Sequence, residues 1–206
     1  MGAARRLVVP LGIGATVGAV DSLVNAVSSP YTAVGSRADG TGWAAGARFL
    51  GFLLDAGWAW AAVAVAVGWL AGGRLRSALA GAGALVAATT AYYAMDSWAR
   101  GEPFLGHLPE LYRWWVAGTV LGAALGVVGA AGRRPGTTGL LAQLVVPLGA
   151  AVQMAVSPPG FGGSPVPAEA VAARWLVWTG AVLTAALVLV RGGRTASRRP
   201  PQPVGQ

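Results

Sequence analysis

Six long apolar segments follow one another along the chain, separated by short segments that carry most of the charged residues. Each has close to the ~20 residues that a helix needs to cross the hydrocarbon core of a membrane. Strands of a membrane barrel would instead show short stretches of alternating polarity. The pattern therefore predicts an all-α integral membrane protein with these spans: Leu7–Val27, Phe49–Ala71, Ala78–Trp98, Trp114–Ala131, Leu140–Val156 and Val171–Val190.

A short motif marks the limits of every second apolar segment. An Arg followed by an aromatic residue opens the segment, and Gly-Arg closes it. The openings are Arg48-Phe49, Arg113-Trp114 and Arg174-Trp175, and the closings are Gly73-Arg74, Gly132-Arg133 and Gly193-Arg194. The sequence Leu7–Gly12 also reappears as Leu144–Gly149. The repeat predicts a six-helix transmembrane bundle built of three tandem helical hairpins.

The composition fits a chain made almost wholly of spans. Hydrophobic residues make up 55% of the 206 residues and charged residues 11%, whereas an ordinary soluble domain has about 25% charged residues. Residues 1–190 are therefore predicted to form one transmembrane domain. Residues 191–206 are rich in Arg, Pro and Gln, which predicts a disordered cytoplasmic tail.

Arginine is distributed unevenly between the two sides that six spans define. The net charge is +8, and all basic residues except the single His are Arg. Most lie at the N-terminus, in the second–third and fourth–fifth connections, and in the tail: Arg5, Arg6, Arg74, Arg76, Arg133, Arg134, Arg191, Arg194, Arg198 and Arg199. Cytoplasmic segments carry an excess of basic residues, so both termini are predicted to be cytoplasmic.

The composition also predicts the origin of the protein, and the length of the first apolar segment decides between a span and a signal peptide. Arg without Lys, together with the Ala, Gly and Val bias, is typical of a GC-rich bacterial genome and predicts the bacterial cytoplasmic (inner) membrane. The first span loosely resembles a cleavable signal peptide, but it is long for one and Asp21 lies late in it. We therefore interpret it as a span.

Several chemistries are missing from the sequence. There is no cysteine, and the single histidine, His107, lies in a predicted solvated loop. No signature of serine hydrolases, P-loop proteins, zinc proteases or prenyl-diphosphate enzymes occurs. The Arg residues serve membrane topology, so nucleic acid is not a predicted partner. We therefore predict no metal, no cofactor and no catalytic residue.

Polar residues within the spans lie mostly in the halves nearest the outer face. Asp21 and Asn25 are four residues apart, on one helix face, and Asp55 lies deepest in its span. An ionised Asp at mid-bilayer costs roughly 2.5–3.5 kcal/mol on insertion scales, so it should face the bundle interior or a water-filled recess. We predict an outward-facing acidic vestibule, lined by ligand-binding residues Asp21, Asn25, Asp55, Trp58, Tyr92, Tyr93 and Asp96; Trp60 and Gln153 lie in the same halves of their spans.

These acids have two interpretations. In the functional one they bind a cation, a proton or a basic ligand, and an aromatic wall from Trp58 and Trp60 would suit an organic cation. In the structural one they pair with Arg residues and fasten the bundle. Asp96 and Arg100 already have the i, i+4 spacing for such a pair.

Small residues recur at helix-packing spacing in the fourth span. Gly118, Gly122 and Gly126 lie on one face and would let a neighbouring helix approach closely. We interpret this face as packing within the chain, with a dimer seam as the alternative. The predicted partners are the lipid bilayer and either a second copy of the chain or another membrane protein.

Parts of three spans resemble a known family. Leu23–Ser28, Ala91–Ala94 and the Trp- and Gly-rich fourth span are similar to small, uncharacterised multi-pass membrane proteins of GC-rich bacteria, a domain of unknown function. The segment from Tyr31 to Ala47 is longer than expected there. The resemblance implies about six spans and no activity.

Three function classes remain open. The first is a permease-like or small-ligand-binding or cation-binding protein that uses the acidic vestibule. The second is a non-catalytic membrane scaffold or accessory subunit, and the third is an intramembrane acid-catalysed cyclase or isomerase. An open polar recess at Asp55 would favour the first, rigid Asp–Arg pairs without a cavity the second, and a closed apolar pocket with one unpaired Asp the third.

Overall fold

The computed structural model describes residues 3–162 and 165–197, with side chains described for residues 8–162 and 165–192. Every regular element in these residues is a helix. The α-helices are α1 (Ala3–Ser28), α2 (Ala33–Ala38), α3 (Gly42–Leu54), α4 (Gly57–Ala71), α5 (Arg74–Arg100), α6 (Leu108–Ala131), α7 (Thr137–Val156) and α8 (Ala168–Ser197), and a 3₁₀ helix at Phe104–His107 precedes α6.

Most of these helices have the length and composition of membrane spans. Five are long and apolar enough to cross a bilayer, over Val8–Ser28, Arg74–Arg100, Phe104–Ala131, Thr137–Val156 and Ala168–Gly192. The helices α3 and α4 are each too short to cross a bilayer alone and have the required length only as a pair. The two helices are bent by 61° at their junction. The all-helical architecture with several apolar helices indicates a multi-pass membrane protein.

The second predicted span, Phe49–Ala71, is wrong as a continuous helix. The helix α3 ends at Leu54, and Ala56 adopts an extended backbone before α4 begins at Gly57. Side chains bind the backbone groups that the break releases. The indole nitrogen of Trp60 donates to the carbonyl of Leu54 (3.0 Å), and the N–H of Trp58 donates to the side-chain oxygen of Gln153 (3.0 Å). A break at membrane depth is tolerated only where such partners exist.

Other predicted boundaries differ from the observed ones. The segment predicted as an outer loop contains α2, and Thr32 and Thr41 cap the N-termini of α2 and α3. The last helix continues to Ser197, so the first part of the predicted disordered tail is helical; residues 198–206 lie outside the described residues.

The helices α1, α4 and α6 pack around α5, and glycines set the spacing. A Cβ on Gly14 would lie 2.0 Å from the carbonyl oxygen of Ala84, and a Cβ on Gly126 would lie 2.0 Å from that of Ser77. Gly118 and Gly122 also face α5. The glycine face of α6 therefore packs within the chain.

The helices that pack against each other are not simply the pairs that three tandem hairpins would give. The pairs α5–α6 and α7–α8 lie side by side, but α1 packs most extensively on α5 and only slightly on α4. The helices α7 and α8 contact the rest of the bundle mainly through α3, α4 and α6. The hairpin arrangement and the number of crossings stay predictions.

Candidate functional site

An open recess of about 400 Å³ lies beside the break between α3 and α4. Its walls come from α1, from both sides of the break, from the end of α7 and from the connection that follows α7. The polar lining consists of Asn25, Ser28, Arg48, Asp55, Gln153 and Ser157, and the apolar lining includes Phe52, Met154 and Phe161. The recess therefore combines one acidic side chain, one basic side chain and aromatic surface.

Asp55 is the residue immediately after α3, and it is exposed in the recess. Its backbone N–H closes the last turn of α3 on Gly51 (2.9 Å). Its carboxylate forms no hydrogen bond or ion pair with any residue the structure describes. Arg48 lines the same recess, but both its Nε (3.2 Å) and its Nη2 (3.0 Å) bind the Oε1 of Glu169 on α8. Since that pair is neutral overall, the carboxylate of Asp55 sets the charge of the recess.

Asp21 lies behind the recess, with no exposed surface at all. Neither of its carboxyl oxygens has a hydrogen-bond partner among the described residues. Asp55 is close enough to interact with it electrostatically. The indole of Trp60 also approaches it, but the N–H of that ring donates to Leu54 instead. Asp21 is thus a buried acid without a compensating partner.

Asn25 in the recess and Tyr92 on α5 lie in the same region as Asp21. The side-chain amide of Asn25 donates to the hydroxyl of Tyr92 (3.1 Å). The same hydroxyl is within electrostatic range of Asp21 and Asp55. The ring of Tyr92 meets Trp60 edge-on, with centroids 6.4 Å apart. The structure therefore brings Asp21, Asn25, Asp55 and Tyr92, four of the predicted ligand-binding residues, into one cluster.

The other predicted ligand-binding residues have other surroundings. Asp96 forms an ion pair with Arg100 (2.8 Å), as the structural interpretation predicts. Trp58 packs against the apolar cluster that includes Met154, and it does not line the recess. Tyr93 packs on the rings of Tyr92 (5.6 Å) and His107 (5.3 Å).

The sequence predicts a solvated His107, whereas the structure shows this side chain mostly buried. Its side chain is only 18% exposed and lies 3.7 Å from Glu102. The 3₁₀ helix that precedes α6 turns the imidazole inward against α5, where it meets Tyr93.

Two features of the site were not predicted from the sequence. Gln153 fixes the start of α4 from α7, and the pair Arg48–Glu169 joins α3 to α8. Gln153 stood out as a polar residue in an apolar span, which is a usable signal. The Arg48–Glu169 pair joins residues that are distant in sequence, so no local spacing could reveal it.

The site offers carboxylate and aromatic groups and no metal-ligand cluster. Among the residues that the structure describes, no group of three or more His, Asp or Glu side chains could hold a metal ion. A carboxylate beside aromatic rings is instead the arrangement that attracts organic cations. No family model, no curated protein and no solved structure matches this chain.

Proposed function

We propose that this is a multi-pass protein of the bacterial cytoplasmic membrane that binds a small organic cation in the recess at Asp55. The observation that carries the proposal is that the carboxylate of Asp55 is exposed in the recess and unpaired among the described residues. Placing a carboxylate in a membrane-spanning segment costs free energy, so such residues generally pair with other charged or polar groups or mark the pathway of a ligand. Binding of this kind suits a permease-like protein.

The shape and lining of the recess support a small ligand. Its volume of about 400 Å³ lies in the range of small-molecule sites. Phe52 and Phe161 supply aromatic surface near the carboxylate, and a quaternary ammonium group would be attracted both by the charge and by the ring faces.

The broken helix supports the same conclusion. Discontinuous helices expose backbone groups and side chains where transporters bind substrates and ions. Here the negative end of the α3 dipole meets the positive end of the α4 dipole, so the two oppose each other. The selectivity for a cation therefore depends on the Asp55 side chain.

The position of the recess supports an outward orientation. Arg133, which the charge distribution assigns to the cytoplasmic side, donates to the carbonyl of Trp69 at the far end of α4 (3.1 Å). Arg133 precedes the N-terminal end of α7. The recess lies at the C-terminal end of α7, beside Gln153 and Ser157. If both termini are cytoplasmic, the recess opens to the outer face.

A scaffold is the second candidate function, because other acids are paired. Asp96 binds Arg100, Glu169 binds Arg48, and Glu110 lies 4.0 Å from Arg113. These pairs join or brace helices without a ligand. The unpaired carboxylates of Asp21 and Asp55 remain unexplained in a pure scaffold.

Cation binding can be tested with the full-length protein in lipid nanodiscs. We expect choline or benzyltrimethylammonium to bind, and the uncharged choline isostere 3,3-dimethylbutanol not to bind, by isothermal titration calorimetry. Asp55→Asn should weaken cation binding by at least about tenfold, which corresponds to about 1.4 kcal/mol.

Asp96→Asn is the matched control, because it removes an acid that is already paired with Arg100. Equal affinity of the wild type and Asp55→Asn would refute the proposal, as would equal loss in both variants. Absence of binding by the wild type would leave the scaffold as the better explanation.

A further inference from the structure

We infer that Asp21 is a proton-binding site coupled to the recess, and that a cation binding at Asp55 displaces the proton of Asp21. The cation half of this inference rests on the proposed function, whereas the proton half does not. The protein would then exchange one proton for one organic cation at a single site.

The burial of Asp21 carries the first step. Its side chain has no exposed surface, and both carboxyl oxygens lack partners among the described residues. A buried ionised carboxylate without a hydrogen bond or cation is far costlier than the neutral acid. Asp21 therefore holds a proton in the unliganded protein.

The groups that face Asp21 supply no compensating charge. The break between α3 and α4 presents Asp55, α4 presents the indole of Trp60, and α5 presents the hydroxyl of Tyr92. The elements packed against α1 carry five cations, none of which is an ion-pair partner of Asp21. On α5, Arg74 and Arg76 are exposed and Arg100 is bound by Asp96. Arg37 on α2 is exposed, and Arg48 on α3 is bound by Glu169.

The position of Asp55 provides the coupling. Its charge acts on Asp21, so an empty recess opposes ionisation of Asp21. A cation seated on Asp55 cancels this repulsion and adds an attraction to Asp21. By reciprocity, ionised Asp21 strengthens cation binding by the same factor.

Asn25 lies between Asp21 and the recess. Asn25 lies one helical turn from Asp21 on the same face of α1 and also lines the recess. Its amide donates to the hydroxyl of Tyr92, whose own proton donates to no described group. The polar side chains of Asn25 and Tyr92 therefore lie within electrostatic range of the two acids, Asp21 and Asp55.

The exchange step is balanced in charge and atoms. The O–H bond of the Asp21 carboxyl breaks, and its proton is released to water in the recess. The bound cation forms no covalent bond. One positive charge enters and one leaves, so the net charge of the site is unchanged.

Two measurements on the full-length protein in nanodiscs test the inference. Infrared difference spectroscopy should show the carbonyl stretch of a protonated carboxylic acid in the unliganded wild type, and addition of choline should remove it. In a weakly buffered solution, choline should release up to about one proton per bound cation. The variant Asp21→Asn should lose most of this proton release. It should still bind choline, but with lower affinity than the wild type.

The outcomes separate the two proposals. No protonated-acid band in the wild type, or the same band in Asp21→Asn and Asp21→Ala, overturns the inference whether or not choline binds. A band that depends on Asp21, without any choline binding, supports the proton site and refutes the cation site. Choline binding with unchanged proton release in Asp21→Asn refutes the coupling. If neither variant folds, a protonated-acid band in the wild type that choline binding leaves unchanged still overturns the inference.

Discussion

The three aspartates near the recess show how surroundings decide the role of one residue type. Asp96 is neutralised by Arg100 one turn away, Asp21 is buried without a partner, and Asp55 is exposed without a partner. In the sequence, Asp96 has a basic residue at i+4, whereas Asp21 and Asp55 have no charged residue at that spacing. Long-range packing then distinguishes the buried Asp21 from the exposed Asp55.

Removing the charge of Arg48 should change the affinity for organic cations in the opposite direction to removing the charge of Asp55. Replacing Arg48 by Gln removes the positive charge from the recess and frees Glu169, so we expect organic cations to bind several-fold tighter, with little loss of stability because the pair is partly exposed. Calorimetric titration with choline and thermal unfolding of the same sample measure both effects.

Arg113→Gln is the control for Arg48→Gln. It removes an equally basic residue from a pair with Glu110 that is 74% and 56% exposed and lies outside the recess. Its choline affinity should match that of the wild type. Weaker binding in Arg48→Gln would show that Arg48 supports the site by structure and not by charge.

Local spacing explains which polar contacts could be predicted. The pair Asp96–Arg100 follows from the i, i+4 rule and is present. The contacts of Asn25 with Tyr92 and of Arg48 with Glu169 join separate helices. Such contacts depend on which helix faces which, and the composition of an apolar span carries little information about that.

At the scale of elements, the break between α3 and α4 is the main departure from the sequence prediction. The residues around Asp55 contain no Pro, and the apolar run that Asp55 and Gly57 interrupt resumes at Trp58. The partner that completes the break, Gln153, lies on α7. A local pattern could not predict an interruption that a distant helix stabilises.

The Gln153 contact gives an element-scale prediction. In Gln153→Leu the N–H of Trp58 loses its acceptor, which should cost about 1 kcal/mol of stability. Choline binding should weaken several-fold, because the first turn of α4 is no longer held in place beside Asp55. Thermal unfolding and calorimetric titration measure the two effects.

Gln143→Leu is the matched control on the same helix. Gln143 donates to the carbonyl of Gly132 at the end of α6 (2.7 Å), far from the recess. It should lose similar stability without losing choline affinity. If both variants bind choline as the wild type does, α7 has no part in shaping the site.

The glycine contacts give a second prediction at this scale. A Cβ at Gly126 would lie 2.0 Å from the backbone oxygen of Ser77, so Gly126→Ala must force α5 and α6 apart and should cost about 1–3 kcal/mol or more. Gly149→Ala on α7 meets nothing within 4 Å and should gain up to about 1 kcal/mol from helix propensity. Thermal unfolding in detergent compares the two, and equal stability would contradict the packing.

At the scale of the whole molecule, the positions of the apolar helices were largely predictable and their neighbours were not. Hydrophobic length located the helices that contain Ala78–Trp98, Trp114–Ala131 and Leu140–Val156, because a span must be apolar along its whole length. Which helices touch depends on the small residues at each crossing. The packing of α1 on α5 comes from Gly14 and Gly18, not from the order of the chain.

The membrane topology gives the last prediction, and the absence of cysteine makes it simple to test. We expect Ser36→Cys and Glu102→Cys to react with a membrane-impermeant maleimide in intact cells, and Arg74→Cys and Arg134→Cys to react only after permeabilisation. All four side chains are exposed in the structure. Labelling of Ser36 and Arg74 from the same side would make α3 and α4 a re-entrant loop and leave five spans. A fully reversed pattern would turn the Asp55 recess towards the cytoplasm, and the cation would then bind from inside the cell.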